Sequence, residues 1–212
     1  MRTTPVADAI GFLTQPRWTT GAFWILLVAG GLAAWINLRR DPNQRAAIHL
    51  WSWVARFSIG TMWWTQTLWK LPPTYTTRAD GTGGLRFWVG EMAQYAAFAW
   101  HRDFVRNVVQ PHFYLFAPQV YLSEVLIAVT LILGLFSRLG AFLGLLAAVN
   151  LWLGLYRAPH EWPWTYGFLI VVQLLFFLYR PGRSLGLDAV LLRRLGKTPD
   201  PGAWGRLVRL LS

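Results

Sequence analysis

Two ionisable side chains sit inside otherwise apolar stretches, Arg56 within residues 50–69 and Glu124 within 117–137. A charge at the centre of a membrane costs roughly 3 kcal/mol on insertion scales, so such groups persist where they pair, hold a ligand or relay protons. At helical spacing Arg56, Gly60, Trp63, Thr67 and Lys70 fall on one stripe, and Glu124, Ala128, Leu131, Leu135 and Arg138 on another. Asn150, Gly154 and Arg157 share a face of a third helix, and Tyr166, Gln173 and Arg180 a face of a fourth. Four helices with one polar stripe each predict a bundle with a polar seam. At ~1.5 Å rise per residue, Arg56 and Glu124 lie roughly 10 Å apart along the membrane normal. Direct contact would need Arg56 to extend, whereas Lys70 or Gln66 could also serve Glu124. Arg56 and Glu124 are the candidate catalytic residues, and Trp63 and Gln173 are candidates for binding a ligand beside them. Three roles stay open: mutual satisfaction that fixes helix order, a ligand or proton site, and contact with lipid or another subunit.

The elements that must position these groups are membrane spans. The chain has 212 residues, of which 55% are hydrophobic and 14% charged, against roughly 25% charged in an average globular protein. A soluble fold of this size has too little interior to hide that much apolar surface, and disordered chains are poor in aromatics. The net charge of +11 would suggest nucleic acid in a soluble protein. Here the charges lie between and beyond apolar runs, so topology and anionic lipid account for them and no nucleic acid is expected. Cysteine is absent, which removes disulfides, thiolate metal sites and covalent haem. The histidines His49, His101, His112 and His160 have no HxxxH or HxxE spacing, and no metal site is expected.

Residues 1–20 read as a short polar tail with Pro5 and Pro16 as breakers and no convincing secretory signal. Spans are expected at 18–37, 50–69, 117–137, 139–156 and 164–179, the first being on the short side. Residues 70–111 begin polar and Gly-rich, then interleave Phe87, Trp88, Tyr95, Phe98, Trp100 and Phe104 with Arg86, Glu91, Arg102 and Arg106, the pattern of one or two interfacial helices. Residues 180–212 form a basic amphipathic tail. Gly140, Gly144 and Ala148 recur every four residues, which favours close packing within the chain over dimerisation. Most of the 14 Trp mark span ends, while Trp63 and Trp64 lie nearer mid-span, where core packing or stacking on a quinone ring would suit them. The loop 38–49, the Arg138 turn and the tail 180–212 hold 11 of the 20 basic residues and the opposite side 8. This bias places the carboxyl terminus in the cytoplasm and residues 70–116 outside.

Three stretches together resemble the DoxX/DoxD proteins. Arg56-Phe57-Ser58-Ile59-Gly60 leading to Lys70 is similar to that family's Arg…Gly…Lys helix. Glu124 followed by Leu131-Ile132-Leu133-Gly134-Leu135-Phe136-Ser137-Arg138 is similar to its Glu…LLLGLxxR helix. Glu161-Trp162-Pro163-Trp164-Thr165-Tyr166 and Pro181-Gly182-Arg183-Ser184-Leu185-Gly186-Leu187-Asp188 resemble its final helix and that helix's end. The resemblance covers about residues 50–192. It implies an all-α, polytopic four-helix membrane bundle, to which this chain adds an N-terminal transmembrane helix, interfacial helices and a basic tail. The divisions are then 1–48 for the tail, extra span and basic loop, 49–192 for the bundle with its outward segment 71–116, and 193–212 for the basic tail. By position the resemblance marks Arg56, Lys70, Glu124, Arg138 and Asp188 as motif residues, with Lys70, Arg138 and Asp188 joining Trp63 and Gln173 as candidate cofactor contacts.

The resemblance also implies kinship with the membrane subunit of thiosulfate:quinone oxidoreductase, with quinone as the cofactor and other membrane subunits as partners. Two functions follow. One is an integral component of a quinone-linked electron-transfer system in the inner membrane of a bacterium or archaeon. The other is a non-catalytic accessory or assembly subunit of a larger respiratory or photosynthetic complex. A small-solute transporter is disfavoured, since no inverted repeat or broken helix pair is evident.

Overall fold

The computed structural model describes residues 4–78, 83–196 and 202–212, and among these there are helices and turns but no strand. In chain order the helices are α1 (Pro5–Thr14), α2 (Trp18–Arg40), α3 (Ala47–Thr67), α4 (Gly84–Tyr95), α5 (Ala99–Phe104), α6 (Phe113–Leu133), α7 (Ser137–Leu155), α8 (Pro163–Tyr179), α9 (Leu187–Leu195) and α10 (Gly202–Leu211). All five expected spans form helices. Three of them, α2, α6 and α7, are long and apolar enough to cross a membrane. The apolar α8 has 17 residues, about 25 Å of helix. Arg56 and a run of Ser, Thr and Trp make α3 less apolar, but it lies antiparallel to α6. Arg56 meets Leu131 and Ile132 while Lys70 meets Glu124, so α3 traverses whatever slab α6 traverses.

The amino-terminal stretch departs from expectation. Thr4 accepts from the Ala7 N–H at 3.2 Å and Pro5 occupies the first helical position, the combination that starts a helix. The result is α1, folded back on α2: Phe12 meets Phe23 edge-on at 5.2 Å and the Trp24 indole donates to the Leu13 carbonyl at 3.1 Å.

Small residues set the helix spacings. A Cβ on Gly60 would lie 2.9 Å from the Ile132 backbone, and one on Gly30 would lie 3.1 Å from the Ile132 carbonyl, so α3 and α2 both close on the same stretch of α6. Across α7, Gly140 faces Thr130 of α6 and Gly144 faces Gln173 of α8, so the small-residue stripe is used inside the chain. Phe23, Trp63, Trp64, Ile127, Ala128, Leu131 and Ile132 form the bundle core. The interfacial helices α4 and α5 cap one end, where Leu85, Val89 and Met92 pack on Phe113 and Leu155. The other end gathers the basic turns. There Asn37 donates to the Gly186 carbonyl at 2.9 Å, Gln44 bridges Arg183 and Leu185, and His49 meets Ser184 at 2.9 Å. The first span is thus part of the bundle.

Gly60→Ala should force α3 away from α6 and lower stability by about 1–3 kcal/mol. Gly167→Ala, where nothing lies within 4 Å of the added carbon, should be neutral or slightly stabilising. Thermal unfolding of the two variants in detergent checks both.

Candidate functional site

Lys70 follows the last turn of α3, and Pro72-Pro73 closes the segment. Its backbone N–H still bonds the Thr67 carbonyl at 3.3 Å, which keeps the side chain on the inward stripe. The ammonium meets Glu124 Oε1 at 2.5 Å, with only 5% and 7% of the two side chains exposed, and lies 4.2 Å from the Trp69 ring centroid. Glu124 Oε2 is buried with no hydrogen-bond partner among the described residues, as are the indole nitrogens of Trp63 and Trp64. A buried pair of this kind is costly to desolvate and more costly to break, about 3–5 kcal/mol when one partner is removed. The pair therefore fixes α3 against α6 and still leaves one charged acceptor unused.

Arg56 is fully buried and works at the other end of the same helix pair. One of its terminal nitrogens donates to the Leu131 carbonyl, which also takes the Gly134 N–H at 3.3 Å, and at 3.0 Å to that of Ile132, in the last turn of α6 where carbonyls lack helical partners. Gly134 then turns the chain with φ 62, and a Cβ there would lie 2.7 Å from the Arg56 guanidinium carbon. Glycine is needed twice over, for the left-handed backbone and for the room.

Helix α7 begins without a cap from its own sequence, and Asp188 supplies one from 51 residues away. Its Oδ1 accepts from the Phe136 N–H at 2.7 Å, and its Oδ2 accepts from the Ser137 N–H at 3.0 Å and the Ser137 hydroxyl at 2.8 Å. In return the Asp188 N–H donates to the Gly134 carbonyl at 2.7 Å, and the Ser137 hydroxyl accepts from the Gly182 N–H at 2.9 Å. A Cβ on Gly182 would lie 2.1 Å from Asp188 Oδ2, and one on Gly186 would lie 2.4 Å from the Gly182 carbonyl. The Gly-Arg-Ser-Leu-Gly-Leu-Asp sequence is therefore a strap that ties the α6–α7 turn to the end of α8. Burial pushes the Asp188 carboxyl up, and the Ser137 and Phe136 donors oppose that.

The structure joins Lys70 to Glu124, with Trp63 two turns back along the same α3 stripe, and sets Asp188 near enough to Arg56 to act on its charge. Arg56 meets α6 some seven residues from Glu124, about 10 Å of helix, so these two sites are separate. Gln173 is fully buried at the α7–α8 contact, with neither amide atom partnered among the described residues. Arg138 lies at the basic end, its guanidinium 4.6 Å from the Phe177 ring centroid and bonded to the Leu210 carbonyl at 3.2 Å. Sequence reasoning missed Ser137 as the strap's anchor, although an α7 start with no acidic residue in its first turn was a signal. It also missed two contacts that clamp the capping helices, Glu91–His160 at 3.2 Å and His101–Asn150 at 3.1 Å.

The fold and these two buried polar centres define an all-α integral membrane protein whose spans are cross-tied by charge. The chain belongs to the DoxD family, whose model, described as TQO small subunit DoxD, matches residues 51–204. Neither a curated protein nor a solved structure matches the chain. The matched range holds every candidate site residue and leaves α1 and α2 outside it.

Glu124→Leu and Lys70→Met should each destabilise by about 3–5 kcal/mol, and the double variant by clearly less than the sum. Additive losses in a detergent unfolding cycle would mean that the pair does not couple. Asp188→Ala, which strands three donors, should cost at least about 1–3 kcal/mol. Asp188→Asn should cost less because it keeps an acceptor, and the same melts rank the two.

Proposed function

We propose that this chain is the membrane subunit of a thiosulfate:quinone oxidoreductase-like system in a bacterial or archaeal inner membrane, its basic end in the cytoplasm. In this reading the Lys70–Glu124 pair is the site for the quinone headgroup. The observation that carries it is the buried Glu124 Oε2, which has no partner among the described residues although its sister oxygen is bound to Lys70. An unmatched acceptor of this kind is expected where a ligand completes the site.

The donor set suits a quinone. An ammonium carries three N–H donors, and Lys70 directs one at Glu124, leaving others for a carbonyl oxygen. The buried indole N–H groups of Trp63 and Trp64 are unpartnered on the same helix. When bound, a quinone would supply the two-electron, two-proton acceptor. Glu124 Oε2 is the acceptor to which a headgroup hydroxyl would donate, and it is the atom on which this chain would hold a proton. Lys70 keeps the carboxylate oriented and its charge balanced. Arg56 and Asp188 act as positioning residues, because their bonds go to helix ends, and Gln173 and Arg138 support the α7–α8 side. Electrons from thiosulfate would enter through a partner subunit, since this chain has no cysteine to carry sulfur covalently.

The exposed aromatic face at the capped end, with Phe98 54% and Trp100 63% exposed, favours a second reading, a non-catalytic accessory subunit that docks partners there.

In membranes that hold this chain with its partner subunits, Glu124→Gln should lower thiosulfate-dependent quinone reduction by about 10²-fold or more. Activity is compared per assembled complex, because the unpaired Lys70 charge lowers the amount of folded protein. Full turnover by assembled Glu124→Gln would refute the quinone site and favour the accessory reading.

A further inference from the structure

Three arginines converge at the basic end outside both polar centres. Arg138 comes from the first turn of α7, Arg180 from the C-cap of α8, and Arg183 from the short 3₁₀ turn Pro181–Arg183. Arg180 holds a left-handed backbone with φ 54, a conformation in which glycine would be unstrained. Each guanidinium makes one bond to a backbone oxygen at the end of α10: Arg138 to Leu210 at 3.2 Å, Arg180 to Arg209 at 3.4 Å and Arg183 to Ser212, just past the helix, at 3.4 Å. Those bonds occupy one donor of the five on each side chain. The Arg138 and Arg183 Nε groups are buried with no partner among the described residues.

Three positive charges meet here. None of the three forms an ion pair among the described residues. Burial and the neighbouring charges of Arg180 and Arg138 push the Arg183 guanidinium below its usual value, opposed by Asp188. The Asp188 oxygens already accept from Phe136 and Ser137. The surroundings are amphiphilic. Leu178, Tyr179, Trp204 and Leu210 are exposed beside the arginines, and the Arg138 guanidinium lies over Phe177. A free anion would use only the charges, whereas an anion bearing acyl chains would use the apolar rim as well.

We propose that Arg138, Arg180 and Arg183 form a binding site for the phosphate of an anionic phospholipid, whose chains lie against the exposed ends of α8 and α10. Planar guanidinium forks match phosphate oxygens. One lipid bound here would bridge α7, α8 and α10 and relieve the mutual repulsion of the three charges.

The test uses the full chain, delipidated in a mild detergent and mixed in turn with phosphatidylglycerol, phosphatidylcholine and inorganic phosphate. Phosphatidylglycerol should raise the unfolding midpoint by several degrees and remain as a one-to-one adduct in native mass spectra, and the other two should do neither. Arg180→Gln should weaken retention of phosphatidylglycerol about tenfold, the loss expected for one hydrogen bond to a charged group. Arg39→Gln/Arg40→Gln, which removes two charges at the same end, should leave retention unchanged. Native spectra count lipid on folded protein, so lower stability of Arg180→Gln does not mask the result, and Arg138→Gln serves as a second variant. Equal effects of phosphatidylcholine, the same shift from inorganic phosphate alone, or equal loss in the Arg39/Arg40 variant would each overturn the site.

Discussion

In hydrocarbon there is no water to satisfy a helix end or a charge, so every such group must find its partner inside the chain. The contact between Arg56 and the final carbonyls of α6 meets two of these needs at once, and much of the architecture depends on it. The guanidinium reaches the carbonyls only because Gly60 lets α3 close on α6 and Gly134 leaves room beyond them. The turn that follows exposes the unsatisfied N–H groups of α7, and Asp188 returns from beyond α8 to accept them. Arg56, Gly134, Ser137, Gly182, Gly186 and Asp188 are therefore one device. It brings α3, α6, α7 and the end of α8 to a common point.

The two ends of the α3–α6 pair differ in kind. At the Arg56 end, Asp188 accepts from three donors and one guanidinium nitrogen bonds two α6 carbonyls, while Arg56 Nε and its other terminal nitrogen are buried with no partner among the described residues. At the Lys70 end an ion pair joins the helices, and the second carboxylate oxygen is buried with no partner among the described residues. At the α7–α8 contact Gly144 packs on Gln173, a buried amide with neither atom partnered among the described residues.

The segments beyond the family match extend the bundle. Helix α2 packs on α6 through Gly30, and its end joins the basic pole through Asn37, Asp41 and Arg193. Helix α10 buries Gly205 and Val208 and exposes Trp204 and Leu210, as an amphipathic helix does at a membrane surface. Its carbonyl end supplies acceptors to three arginines that would otherwise repel one another. The basic pole is thus built from the end of α2, the carboxyl-terminal helices and the turns on that side, whereas the segment between α3 and α6 caps the other pole together with the end of α7.

Residue order alone fixes the membrane class, the five long helices and the inward stripes of α3 and α6, because hydrophobic runs and helical period are local properties. The expected α7 stripe fails, since Asn150 and Arg157 are exposed and α7 packs through Gly140, Gly144 and Ala148 instead. Depth along a helix, which follows from residue count alone, left Glu124 with Lys70, Gln66 or an extended Arg56 as partners. The packing of the helices settles that Lys70 takes that place, that Arg56 serves the α6 end, and that Asp188 caps α7. Those choices depend on which helices are neighbours and how they are rotated, and neither is encoded by spacing within one helix. The amino-terminal helix escaped the sequence reading because Thr4 and Pro5 start it without a long apolar run, and its packing on α2 through Phe12 and Phe23 involves two elements at once. The strap was visible only as a motif. Its meaning depended on a turn 51 residues distant that lacked a cap of its own.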